Sequence, residues 1–221
     1  MPDREVLVVV AAGPGLGRSV ALRFAREGVA VGLVARSAES AEPLAGELRA
    51  AGSPEVAVAT GDVGDESALR AALGDLRERL GPATAAVYNG SAFVQGSGLT
   101  LTPADLRLAL DVGVTGAMVT AQEVAPAMRG AGRGTLLLTG SVAADRASTS
   151  ATAVGVAKAG LRNLALSLHK ELGPDGVRVT TVTIDGVLQG PKALDLDEIG
   201  DLYWRLHTGP EAPPPVVVHP S

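Results

Sequence analysis

Three closely spaced glycines, Gly13, Gly15 and Gly17, follow an uninterrupted apolar run, Val6 to Ala11, and precede a helical pattern that continues to Gly28. Backbone without side chains can approach a pyrophosphate closely, and the start of a helix offers free amides and a positive dipole end. Anion binding is the chemistry this turn suggests, with tight packing alone as the other reading. Arg18 stands where the GxGxxG fingerprint would have its last glycine. A second candidate pair is Tyr203 and His207, four residues apart on the helical pattern Asp195 to His207 and hence on one face. They could supply a proton, or they could pack as an ordinary aromatic pair. Tyr88, Thr149, Ser150 and Thr152 bring further hydroxyls. Cysteine is absent, which removes thiolate catalysis and thiolate metal sites. The three histidines are scattered, so no metal site is expected.

These groups need a scaffold, and the periodicity predicts one. After the first strand the pattern gives a strand at Ala30 to Ala35, a helix at Glu39 to Ala51, a strand at Glu55 to Thr60 and a helix at Glu66 to Leu80. A strand at Thr84 to Tyr88 leads through a loop rich in glycine and serine to Leu101, then to a long helix that Thr102 caps and Pro103 begins. Gly134 to Thr139 reads as a strand, Thr152 to Leu172 as a long helix, Val177 to Ile184 as a strand and Val216 to Val218 as a short terminal strand. Strands alternating with helices predict one α/β domain, a doubly wound parallel sheet covered on both faces. The expected division is a core over 1–186 and a tail over 187–221 that leans on the substrate cleft.

Composition narrows the partners. The chain of 221 residues has 46% hydrophobic and 19% charged residues, too apolar for disorder. A net charge of -5 and 2% aromatic residues argue against nucleic acid. No apolar stretch approaches the ~20 residues of a membrane helix, and no secretory leader is visible, so a cytoplasmic location is expected.

Ordered landmarks give these elements a family likeness. The chain resembles the short-chain dehydrogenases/reductases from its first strand to about Gly186. The family's TGxxxGxG falls on Val10, Ala11, Gly15 and Gly17, so Ala11 replaces the first glycine. Asp62 in GDVGD takes the place of the aspartate expected to bond the adenine amino group, and Asn89-Gly90-Ser91 takes that of the family's NAG. The resemblance implies a Rossmann fold and a nicotinamide dinucleotide held by Gly13, Gly15, Leu16, Gly17, Arg18, Arg36, Ser37, Asp62, Val63, Asn89, Gly90, Lys158 and Gly186. An acid ending the second strand would favour NAD. Here that strand ends Ala35-Arg36-Ser37, which suits a 2′-phosphate and implies NADP(H).

The catalytic positions depart from the family. TGSVA supplies Ser141 for the serine that holds the carbonyl oxygen, and Lys158 fits the lysine. Four residues before Lys158, and 13 after Ser141, the tyrosine's position holds Val154. The relay asparagine's position falls on Gly113, and the family's PG becomes Asp185-Gly186, which sets a carboxylate near the nicotinamide end. Val154 has no proton to give. Ser141, Lys158, Tyr203 and His207 are therefore the catalytic candidates. The resemblance implies an oxidoreductase of non-standard site acting on a small carbonyl-type substrate, as a homodimer or homotetramer. The alternative is a non-redox protein on the same fold: an isomerase, cyclase or lyase-like pathway enzyme, or a cofactor-binding regulator.

Overall fold

The protein is described by a computed structural model covering residues 4–188 and 193–219. Seven parallel strands form one sheet in the order β3-β2-β1-β4-β5-β6-β7. They are β1 (Val6–Val10), β2 (Ala30–Ala35), β3 (Val56–Thr60), β4 (Ala85–Tyr88), β5 (Gly134–Ser141), β6 (Val177–Ile184) and β7 (Val216–His219). Every residue of β1 is buried, as an unbroken Val/Leu run requires when helices cover both faces of a sheet. The chain order reverses between β1 and β4, which pair directly with Leu7 beside Ala85. In a doubly wound sheet that reversal opens a crevice beyond the strands' carboxyl ends.

Helices α1 (Leu16–Ala25), α2 (Ala38–Ala50), α3 (Glu66–Leu80), α4 (Pro103–Leu110), α5 (Gly116–Gly130), α6 (Thr152–Leu172) and α7 (Leu196–Thr208) enclose the sheet. Side-chain caps start four of them. The Ser37 hydroxyl accepts from the Ser40 amide, and Asp65 from that of Ala68. Thr102 forms a capping box with Asp105, and Asp195 accepts from the Asp197 amide. Such caps satisfy amides that the first helical turn leaves unpaired. The long helix expected after Thr102 runs to Gly130 with a π turn at Asp111–Thr115, which divides α4 from α5.

Two apolar clusters lie on opposite faces of the sheet. One gathers Leu69, Leu76, Val124, Met128 and Leu161 of α3, α5 and α6. The other gathers Val20, Phe24, Leu48, Ile199 and Tyr203 of α1, α2 and α7. Helix α7 therefore belongs to the core. Helix α7 packs along α1, where the Ser19 hydroxyl bonds the Leu196 carbonyl at 2.5 Å and the Phe24 and Trp204 rings meet edge to face at 5.0 Å. Strand β7 extends the sheet, with Val217 opposite Val182. Of the tail expected to lean on the substrate cleft, α7 turns its apolar side to α1.

Candidate active site

At the carboxyl end of β1 the chain turns into α1 through residues 11–15. The left-handed backbone here falls on Ala11, with φ of 59°, and on no glycine of the turn. A methyl-bearing residue thus adopts the conformation that suits the glycine it replaces. The turn is tied back by Ala12 donating to the Val34 carbonyl at 3.0 Å and Arg18 to that of Gly13 at 3.0 Å. No side chain caps α1 at Gly15, so its first amides stay available to an anion.

Beside this turn is a cleft of about 600 Å³. Gly13, Arg36, Asp62, Val63, Asn89 and Gly90 line it, bringing together six of the positions named from sequence. Gly15, Leu16, Gly17, Arg18, Ser37, Lys158 and Gly186 are not in that lining. Ser40, Phe93, Leu108 and Val112 also line it, and sequence reasoning missed them. Only Ser40 had a visible signal, its spacing from the capping Ser37.

A dinucleotide suits this donor set. A Cβ added to Gly13 or Gly15 would meet no protein atom within 4 Å, so the turn leaves room for phosphate. Asp62 accepts from the Gly64 amide through Oδ1 at 2.8 Å, which leaves its other oxygen for an amino group. The Arg36 side chain is exposed and has no hydrogen-bond partner among the described residues. Arg18 is differently engaged: its guanidinium holds Glu47 of α2 at 2.5 and 2.8 Å, and this carboxylate is the main reason its pKa is raised.

Ser141 ends β5, and its Oγ accepts from the Ala143 amide at 3.2 Å. Lys158 is buried on α6 and donates to the Thr139 carbonyl at 2.8 Å and, more loosely, to the Gly90 carbonyl at 3.5 Å. Among the described residues no carboxylate meets its ammonium. Burial lowers its pKa to about 8, since removing water penalises the charged form. Val154, in the first turn of α6, is half-buried.

The position expected from sequence to match the relay asparagine is closed by packing. Gly113 lies in the π turn, and a Cβ there would stand 2.9 Å from the Ala157 Cβ. A Cβ on Gly160 would come within 3.1 Å of Val114. The small residues of α6 therefore admit the π turn of the same chain. Tyr88, fully buried, donates its hydroxyl to the Val112 carbonyl in that turn. Burial raises its pKa, which makes it a poor acid.

Two catalytic candidates, Tyr203 and His207, lie outside the cleft lining. Tyr203 is fully buried in the α1 face of the core, and its hydroxyl pairs with that of Thr139 at 2.8 Å. Burial raises its pKa. His207 lies at the amino-terminal end of the strands, the end opposite the cleft. Its Nδ1 is 3.0 Å from the Thr135 hydroxyl and its Nε2 3.8 Å from Glu5. Burial lowers its pKa. The shared helical face is real, but α7 presents it to the core and to β5. Asp185 is gripped at both oxygens by Arg146, at 2.7 and 2.8 Å. This ion pair ties the chain after β5 to the chain after β6. Among the described residues no cluster could hold a metal, and no helix is long and apolar enough to cross a membrane.

Comparison with known proteins agrees with this geometry. Residues 5–190 match the family described as short chain dehydrogenase. The chain is 33% identical over 184 residues, 83% of its length and 72% of the relative's, to (2S)-[(R)-hydroxy(phenyl)methyl]succinyl-CoA dehydrogenase subunit BbsC of Thauera aromatica. A solved short-chain dehydrogenase from Rhodopseudomonas palustris superposes with a TM-score of 0.89 at 26% identity, covering 100% of both chains. A metagenomic short-chain oxidoreductase in complex with NADP gives 0.88 at 26% identity over 98% of this chain and 97% of that one.

Proposed function

The chain belongs to the short-chain dehydrogenase family, and from that premise we propose that it is an NADP(H)-dependent oxidoreductase for a small carbonyl or alcohol, working without the family's tyrosine. The observation that carries this reading is the pairing on α6 of an aliphatic Val154 with a buried Lys158 whose pKa is about 8. The cofactor when bound supplies the hydride. Gly13, the first amides of α1, Arg36, Asp62, Val63, Asn89 and Gly90 would hold it, with Gly186 at its nicotinamide end. Ser141 orients the carbonyl oxygen through its hydroxyl, which at present only accepts from an amide and keeps its own proton to donate. Lys158 has one N–H left over from its two carbonyl acceptors, and a pKa near neutrality suits a proton donor acting directly or through water.

NADP rests on the unpaired Arg36 and the strand end it occupies. A self-association is proposed for the outer groove between α5 and α6, which Met118, Ala121, Ala125, Leu164 and Leu168 line and where Met118 is exposed. Light scattering should then give a multiple of 22.2 kDa. A second reading is favoured by Gly113, whose contact with Ala157 leaves no room for a relay asparagine. On that reading the protein binds the cofactor on a non-redox or regulatory duty.

The test is one pair of measurements. NADPH and NADH affinities by fluorescence titration come first, followed by NADPH oxidation over a carbonyl panel for wild type and Lys158→Met. Tight NADPH binding with turnover that Lys158→Met abolishes supports the reductase. Tight binding with no turnover on any carbonyl supports the second reading.

A further inference from the structure

Arg36 lines the proposed cofactor cleft, Arg18 follows the glycine turn without entering that lining, and the fold treats the two differently. Arg36 is free of partners among the described residues. Arg18 leaves the first turn of α1, directly after the glycine turn, and its guanidinium is held by Glu47 through both Nε and Nη2. Glu47 lies ten residues beyond Ser37, the cap of α2. At 1.5 Å per residue that is about 15 Å along the helix axis from the end at which a 2′-phosphate would sit. The ion pair therefore draws Arg18 down the seam between α1 and α2, away from the Arg36-Ser37-Ser40 corner. Asp197 of α7 adds a second, more distant negative charge on the same guanidinium.

We infer that Glu47 sets this protein's discrimination between the two nicotinamide dinucleotides, by withholding Arg18 from the 2′-phosphate. The inference rests on the NADP(H) reading of the cleft. With Arg18 held, one guanidinium and the capped start of α2 recognise the phosphate. When Glu47 is neutralised, Arg18 can swing to the phosphate and add a charge-assisted hydrogen bond. Both partners are close to half exposed, with side-chain exposures of 43% and 42%, so water screens the pair and its release is inexpensive. NAD carries no phosphate at that position, so its binding does not depend on where Arg18 points.

The experiment measures dissociation constants of NADP and NAD by fluorescence titration for wild type, Glu47→Gln, Arg18→Ala, the double variant and Arg36→Ala. The inference expects Glu47→Gln to tighten NADP by about two- to fivefold, the range of exposed ion pairs, and to leave NAD unchanged. It also expects the gain to vanish when Arg18 is alanine. An equal gain in the Arg18→Ala background would reduce Glu47 to a general negative charge and overturn the inference. No gain, with wild type still preferring NADP and Arg36→Ala still weakening it, overturns the inference and leaves the cofactor reading standing. A wild type that prefers NAD, with Arg36→Ala without effect, overturns both.

Discussion

Gly113 offers a sign test of how the site is built. In a helical interior, glycine to alanine ordinarily stabilises by up to about 1 kcal/mol, because alanine loses less backbone freedom on folding. Here the added Cβ would stand 2.9 Å from the Ala157 Cβ, against about 3.5–4.0 Å for unstrained carbons. Both atoms are bonded directly to backbone, so no rotamer change relieves the contact, and the π turn and α6 must separate by roughly half an ångström. Overpacking of this kind costs about 1–3 kcal/mol, which outweighs the helical gain. Gly113→Ala should therefore lose about 1–2 kcal/mol, a Tm lower by about 2–8 °C for a domain of this size. Differential scanning calorimetry reads it directly, and Ala157→Gly in the same chain should restore most of the loss. A Tm that rises on Gly113→Ala would show that the two helices do not touch there, and the account of the missing asparagine would fail. The same geometry says that Gly113→Asn damages the fold before it can restore a relay.

Ala11→Gly should raise stability by about 0.5–1 kcal/mol, since glycine tolerates the left-handed backbone that alanine adopts at φ 59°; an unchanged or lowered Tm would contradict that geometry. Lys158 gives a pH signature. Unfolded, it keeps its proton up to its ordinary pKa of 10.5, while folded it releases it from about 8, so between these values the unfolded chain binds more protons. Wild-type stability should therefore rise relative to Lys158→Met across that window, by on the order of 3 kcal/mol, and parallel curves in urea titrations would refute the burial argument. Tyr203→Phe leaves the Thr139 hydroxyl unpaired in the core, so a loss of about 1–3 kcal/mol is expected with kcat and its pH profile unchanged. A collapse of kcat in a folded Tyr203→Phe enzyme would return that hydroxyl to the chemistry.

Local patterns made the scaffold legible. The apolar run ending in glycines announced β1 and the cofactor turn, and Thr102-Pro103 announced the start of α4. Asp62 and Asn89 follow β3 and β4, Ser141 ends β5 and Lys158 lies on α6, an order in the chain that the family landmarks share. Long-range pairing was not legible. The apolar spacing of Leu196, Ile199 and Leu202 says that α7 buries a face, but it cannot say that α1 receives it. Tyr203 and His207 do share a face, yet one is enclosed by Thr139 and the other meets Thr135 and Glu5. Arg18 announced a positive charge beside the turn, while Glu47, 29 residues later, decides where that charge rests. Gly113 read as a lost asparagine, and only the approach of Ala157 shows that its space is filled.

Val154→Tyr tests the central claim most directly. A phenol placed four residues before Lys158, on a half-buried position, would take over proton donation from the buried ammonium on which the proposed function relies. Positioned acids contribute about 10²–10⁴-fold, so NADPH oxidation with a reactive carbonyl should rise at least tenfold. A wild-type enzyme whose rate the new tyrosine leaves unchanged or lowers would mean that it already holds a donor as effective as a placed phenol, and that Val154 was never the gap in this site.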